Sequence, residues 1–426
     1  MRQEEIQLLR ELAKEKLQIS MDEKNLENRE LWICTNDLHM KKPPVYIDEM
    51  CWNEMNVDQE LTLQTEDEFC RKLELELRKE IYLWKHMPGN MVVNPYIDCP
   101  VTVRGGEFDD AFGISESVTT VQADKTSAIK SRHFNIQIRG EEDIEKIMDP
   151  VVTVDEKDTS DKLEKMQTIF GDILDVRLCG ERGKWFTPWD YLIRLTGVEP
   201  VLYDLIERPE YIKALVRRFT DASLKLMEQY NELGLWASNN NNTRVGSGGY
   251  GYTDMLAAPE GLDRNASAKQ LWGCGNAQIF STVSEEMHWE FSLEEEIRWM
   301  SHFGLNYYGC CEPLHYKMNI LKKIPNLRKI SASPWCRIRQ MAEMAGKDYV
   351  MSCKPSPAIF SGGSFHEETA RRDVRKILEE SQGCSIEIVL KDLSTVDYKP
   401  QNLWRWNEIA REEIDKIGRA SCRERV

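Results

Sequence analysis

The sequence predicts an α/β fold: a (β/α)8 TIM barrel with an N-terminal helical extension and an inserted lid region. Three observations predict it. Short β-rich runs alternate with amphipathic helical stretches from about residue 43 onward, which argues for a parallel sheet covered by helices. Roughly eight such units fit into 426 residues, the arrangement of a single closed barrel. No GxGxxG or GxxxxGKS opens the first turn, as it does in many open doubly wound sheets.

Residues 1–42 form the extension, and MRQEEIQLLRELAKEKL within it is charged and amphipathic. It lacks the continuous apolar stretch of a secretion signal. The strand candidates are PVYID (44–48), MVVNP (91–95), ILDVRL (173–178), LWASNN (235–240), AQIFST (277–282), NYYGC (306–310), LRKISAS (327–333), DYVMSC (348–353) and IEIVLKD (386–392). These are nine candidates for eight places, and AQIFST, preceded by an irregular polar stretch, fits least well. Among the helical stretches, EDEFCRKLELELRKEIYLWKHM is long and amphipathic. The one beginning at Pro209 stops at Gly234, EEMHWEFSLEEEIRWMSHFG at Gly304 and HEETARRDVRKILEESQG at Gly383. Residues 99–150 are polar and weakly patterned, an insertion or lid within a barrel spanning 43–416. GSGGYG (246–251) follows an asparagine run and opens no helix, so it reads as a flexible loop over the site. The tail IGRASCRERV, 417–426, breaks the acidic pattern and reads back codon for codon as a sequencing adaptor; it is set aside as an artefact, with the natural terminus missing.

Apolar residues make up 41% and charged residues 30%, with a net charge of -16. Without the tail, which carries a net +2, the charge is near -18. An acidic chain without a basic surface excludes a nucleic-acid binder, and no run of eighteen apolar residues suggests a membrane span. The 12 cysteines form no CxxC pair and accompany no export signal. They are read as thiols, mostly buried, in a cytoplasmic protein.

In a barrel the strand ends on one face carry the site. That places there Glu49, Trp52, Asn53 and Glu54; Tyr96 and Asp98; Asn239 to Asn242; Cys310, Cys311, Glu312 and His315; Ser333 and Trp335; Cys353, Lys354 and Ser356; and Lys391, Asp392, Ser394 and Thr395. Side chains alternate along a strand, so Cys310 and Glu312 are expected on one side and Cys311 on the other. A thiolate and a carboxylate there form half of a catalytic zinc site, which takes three protein ligands and leaves one place open. Cys353, Asp392 or His315 can supply the third, with Cys311 an alternative. Equally, Cys310 can simply pack, Glu312 pair with a cation and His315 lie in solvent. Lys354 and Lys391 can hold a carboxylate or phosphate, form a Schiff base if desolvated, or pair with Asp392 or Glu312.

Several segments resemble the uroporphyrinogen decarboxylase-like superfamily over most of residues 40–416. KKPPVYIDEM resembles its first barrel strand, and FTPWDYLIRLTGVEPVLYDLIERPEYIKALVRRFT its helix pair. VLKDLSTVDYKPQNLWRW resembles the last strand and helix of its cobamide methyltransferase branch, which holds zinc through His-x-Cys and a distant Cys. Here Tyr308 takes the histidine position, Cys310 the cysteine, and Asp392 lies near the second cysteine. The decarboxylase proper needs an arginine-rich loop after the first strand; here EMCWNEM is acidic, with no arginine to offset Glu49 and Glu54. The resemblance implies a methyltransferase moving a methyl group between a small substrate and a corrinoid protein, with zinc held by Cys310, Glu312 and Cys353. Asn239, Asn240, Lys354 and Asp392 are the expected catalytic residues. Glu49, Trp52, Asn241, Ser333 and Lys391 are expected to bind substrate. The alternatives are a decarboxylase of a smaller acid without metal, anchored by Lys354 or Lys391, and a non-catalytic partner of a corrinoid protein.

Overall fold

A computed structural model of the chain describes residues 1–121, 131–257 and 264–423, with side chains through 416. The parallel strands are β1 (Val45–Ile47), β2 (Tyr96–Pro100), β3 (Asp175–Cys179), β4 (Trp185–Phe186), β5 (Trp272–Gly275), β6 (Leu305–Tyr308), β7 (Leu327–Ala332), β8 (Val350–Cys353) and β9 (Ser385–Leu390). Seven of them form one sheet in the order β1-β9-β8-β7-β6-β5-β4, every pair parallel. β2 and β3 form a separate parallel pair. The last strand thus lies beside the first, compatible with a barrel-like wrap, while the described ladder ends at β1 and β4.

Strands β5, β6, β8 and β9 are buried along their whole length, and the last three of these were legible as strand candidates in the sequence. Alternation still sorts their faces. Ile330, Ala332, Met351, Cys353, Ile386 and Ile388 join the large core cluster beneath the helices. Lys329, Ser331, Ser352 and Glu387 face the other way, into the interior.

Several elements differ from expectation. MVVNP is irregular, and the strand follows it at Tyr96–Pro100. AQIFST holds only a 3₁₀ turn, Gln278–Phe280; the strand is WGCG, Trp272–Gly275, which glycines hide from any propensity argument. Gly273 is needed there, because a Cβ would sit 2.5 Å from Asn306 Oδ1 and 2.6 Å from the Phe303 ring. LWASNN contributes a single bridge, Trp236 to Glu181. Beyond it the Asn239 side-chain amide stands in for a strand: its Oδ1 accepts the Trp272 N–H at 2.9 Å, and its Nδ2 donates to the Trp272 carbonyl at 3.0 Å.

GSGGYG is a plug rather than a loop over the mouth. The Gly249 N–H donates to Glu387 Oε1 at 2.9 Å, and the Ser247 hydroxyl shares a 2.7 Å bond with the Tyr307 hydroxyl. A Cβ on Gly248 would lie 2.5 Å from Glu387 Oε1, and one on Gly249 would overlap the Trp32 ring, so glycine is the residue that fits.

The extension is two helices, α1 (Gln3–Ser20) and α2 (Lys24–Asn36). Leu9, Leu12 and Ala13 of α1 share a cluster with Leu73, Leu77 and Ile81 of α3 (Glu68–His86). α2 buries Trp32, whose indole N–H donates to the Asn90 carbonyl at 2.7 Å and whose ring lies 5.9 Å from Lys329 Nζ. The helix from Pro209 runs to Glu232. The stretch expected as one helix up to Gly304 is broken by a π turn, Trp289–Leu293, between Glu285–His288 and Glu294–Met300. Within 99–150, Val118–Val121 pairs antiparallel with Ser131–Phe134; residues 122–130 lie outside the described residues. The last helix, Pro400–Arg423, takes in Ile417 to Arg423 of the tail. Among the described residues no helix is long and apolar enough to cross a membrane.

Candidate functional site

Three strand ends meet at one rim. Past β1 and β9 the chain bends through left-handed backbone at non-glycine residues, Glu49 (φ 50) and Asp392 (φ 61). Such strain persists only where the surroundings hold it. Here the Leu393 N–H donates to the Glu49 carbonyl and the Asp48 N–H to the Leu390 carbonyl, both at 3.0 Å, tying the two bends together. Lys391 Nζ lies 3.0 Å from Glu49 Oε2 and 2.8 Å from Asp392 Oδ2. Arg244 reaches in from the segment after the asparagine run, 2.6 Å from Asp48 Oδ2 and 2.7 Å from Glu49 Oε1. The third end is that of β6. Gly309 (φ 98) turns the chain, so strand alternation stops at Tyr308. Cys310 Sγ then sits 3.9 Å from Lys391 Nζ and 3.5 Å from Cys311 Sγ, and the Cys311 thiol donates to Asp392 Oδ2 at 3.8 Å.

The charges divide this rim. Burial works to raise the Glu49 carboxyl, but the hydrogen bond from Asp392 and the charges of Arg244 and Lys391 take it down to about 2. Burial and the bond to Glu49 raise its neighbour Asp392, so of the two carboxyls Asp392 keeps a proton to higher pH. The hydrogen bond from Cys310 lowers the Cys311 thiol, with Lys391 helping; that same bond, and then burial, raises Cys310. The rim therefore presents an exposed thiol inclined to ionise, beside a carboxyl inclined to hold a proton.

Beneath it, Lys354 Nζ donates to Tyr307 OH at 3.1 Å, Ser331 Oγ at 2.8 Å, and the Ser352 carbonyl and hydroxyl. Burial lowers this ammonium to about 8. Among the described residues no carboxylate lies within ion-pair distance of it.

The expected residues fall into two sets. Glu49, Cys310, Cys311, Lys391 and Asp392 are brought together, with Lys354 below. The others are engaged elsewhere. Asn239 holds Trp272, the Asn240 amide bonds the Thr253 backbone, and Asn241 bonds the Ser238 carbonyl and the Thr243 N–H. Trp52 packs edge-on against Tyr82 under Lys79, on the side of α3. The Ser333 hydroxyl lies against Cys336 Sγ. Cys353 belongs to the helix-facing core, where burial raises its thiol. His315 is buried in a 3₁₀ turn. Glu312 folds back so that its Oε2 accepts the Cys310 N–H at 2.9 Å, leaving Oε1 buried without a partner.

A zinc set of Cys310, Glu312 and Cys353 does not form on this geometry. Among the described residues no three His, Cys, Asp or Glu side chains gather as a metal site. The cation at the centre of the available donors is Lys391: its ammonium touches both carboxylates and lies against Cys310, where an ion coordinated by them would sit. The residues present fit a lysine rather than a divalent metal.

Sequence reasoning missed Arg244 and Asp48. The signal was available, because an acidic loop at a rim requires a cation and Arg244 is the charged residue of SNNNNTR. Glu54 is not at the mouth: its Oε2 accepts from the Thr395 hydroxyl and from the Val396 and Tyr398 N–H groups, fixing the loop after β9.

No family model matches the chain, and no curated protein matches it. Among solved structures it is similar to a methyltransferase from Methanosarcina mazei, at 10% identity and a TM-score of 0.53, over 90% of this chain and 98% of that one. At that identity the likeness carries the fold and not the chemistry.

Proposed function

We propose that the chain is an enzyme of the uroporphyrinogen decarboxylase-like type, on a (β/α)8 barrel, that transfers a methyl group between a small substrate and a corrinoid presented by a partner protein. The observation that supports it is the rim: an exposed Cys311 thiol flanked by Lys391 and Asp392, with Cys310 hydrogen-bonded to it. Methyl transfer to a small thiol needs the acceptor's proton removed, so that its sulfur attacks the methyl carbon while the donor leaves with the bonding pair. Cys311, whose thiol is lowered by the hydrogen bond from Cys310 and by the charge of Lys391, would take that proton. Asp392, raised by burial and by its bond to Glu49, would return a proton to the group that leaves when the transfer runs in reverse. Arg244 fixes Glu49 and keeps the acidic rim from repelling an anionic substrate. No step is assigned to zinc, because Lys391 stands among the donors a metal would use.

The test is demethylation of methylcobalamin by the purified chain with a panel of small thiols, followed by absorbance. Turnover that disappears in Cys311→Ser supports the reading. Turnover unchanged in Cys311→Ser, or absent with every acceptor, overturns it. One observation favours a second reading, a metal-free decarboxylase. Lys354 is a buried cation without a carboxylate partner, able to anchor a substrate carboxylate. Release of carbon dioxide in metal-free buffer, lost in Lys354→Met, would select it.

A further inference from the structure

The two sulfurs at the end of β6 do more than one chemistry permits a single thiol to do. They belong to consecutive residues and lie 3.5 Å apart with no side chain between them. Among the described cysteines Cys311 alone is exposed, Cys336 is half-buried and the rest are buried, so an oxidant in solution meets Cys311 first. Cys310 sits directly behind it, against Lys391, where it can displace whatever has joined Cys311. Gly309, in left-handed backbone, precedes the pair and gives the turn its freedom.

We infer that Cys310 and Cys311 form a reversible two-electron redox site, closing to a vicinal disulfide in exchange with a small-molecule disulfide. The Cys311 thiolate attacks one sulfur of that disulfide. Its S–S bond breaks, one thiolate leaves, and a mixed disulfide forms on Cys311. Cys310 then attacks Cys311 Sγ and the mixed bond breaks. The second small thiolate leaves with the proton that Cys310 gives up. The two cysteine sulfurs lose two electrons, and the small disulfide gains them as two thiols once the first leaving group is protonated from solvent. Adjacent Cα atoms are roughly 3.8 Å apart, short of the usual disulfide span of about 4.4–6.8 Å. The ring is therefore strained and easily reduced, as a reversible site requires. Closure removes the free thiol at the rim, so oxidation silences the site and a dithiol restores it. The inference goes beyond methyl transfer and does not depend on it, because sulfur chemistry is read without turnover.

The experiment treats the reduced full-length chain with oxidised glutathione and reads the peptide carrying both cysteines by mass. The wild type is expected to lose two alkylatable thiols from that peptide with no glutathione retained, and to regain both with dithiothreitol. Cys310→Ser is expected to retain glutathione on Cys311, and Cys311→Ser to lose no thiol at position 310. Glutathione stably retained on Cys311 of the wild type, or oxidation at Cys336 with the pair untouched, would overturn the inference. Because the folded state is checked in the same samples by circular dichroism, a variant that fails to fold is replaced by the matching alanine variant.

Discussion

Two clusters of charge share the interior of this sheet, and they are built on opposite principles. Deep inside the sheet, Lys329 of β7 and Glu387 of β9 form a 2.7 Å pair across β8, both fully buried beside the glycine plug. Glu387 Oε1 also takes the Gly249 N–H, and the Trp32 and Trp272 rings lie 5.9 and 5.5 Å from the ammonium. At the rim, one lysine is shared among two carboxylates and a thiol, the residues are partly exposed, and the backbone is strained at two of them. The deep pair fixes a structure, whereas the rim stores alternatives in where the proton and charge reside. Position along the strands decides which residues are scaffold and which are chemistry.

The sharpest way to break that contrast is at the deep pair. Glu387→Gln keeps the shape and leaves the Lys329 ammonium buried without a counter-charge. Breaking a pair of this kind costs about 3–5 kcal/mol, which urea unfolding measures. Replacing both partners by apolar residues of similar volume, Lys329→Met with Glu387→Leu, is expected to recover most of that loss. A Glu387→Gln variant within about 1 kcal/mol of the wild type, a value typical of exposed pairs, would show that the deep cluster is no more structural than the rim.

Lys354 lies between the two regions and sharpens the comparison through pH. Its folded-state value is lowered to about 8 from 10.5. Between those limits the unfolded chain binds the proton and the folded chain does not, so this residue makes stability rise with pH, by about 1.4 kcal/mol per unit. Subtracting the pH profile of Lys354→Met isolates it: the variant's advantage is expected to be largest below pH 8 and to shrink toward pH 10.5. A gap independent of pH would mean that the ammonium is solvated, and that Lys354 belongs to the rim.

How much of this was legible in the sequence follows the same division. The parallel strands with apolar runs, β6 to β9, were readable because burial on both faces leaves a plain composition signal. β5 was not, since WGCG carries glycine where Phe303 and Asn306 press in, and propensity cannot see a neighbour from elsewhere in the chain. The rim members Glu49, Cys310, Lys391 and Asp392 followed from topology, because strand ends share one face. Cys353 and Glu312 were misassigned because one alternation step, or one left-handed glycine, reverses where a side chain goes. The asparagines looked like substrate ligands because an amide that serves backbone is indistinguishable, in sequence, from one that serves a ligand.

The smallest expected effect is also the most diagnostic of the rim, because two neighbouring substitutions should move one rate in opposite directions. Lys391 lowers the Cys311 thiol and Asp392 raises it. Removing the cation in Lys391→Met should raise that thiol and so cut the thiolate present at pH below its pKa. For every tenfold loss of thiolate, the thiolate that remains becomes only about threefold more nucleophilic. The net expectation is alkylation of Cys311 by iodoacetamide slowed by only about threefold for each such tenfold loss, read on the peptide by mass. Asp392→Asn removes the opposing charge and should speed the same reaction by a similar factor. Asp392 is half exposed, so Asp392→Asn should change stability by less than about 1 kcal/mol, whereas Lys391 is buried and its removal, which leaves Glu49 to Arg244 alone, should cost more. If the two rates shift in the same direction, the sulfur is responding to a general loosening of the loop, and the lysine and the carboxylate are not its controlling charges.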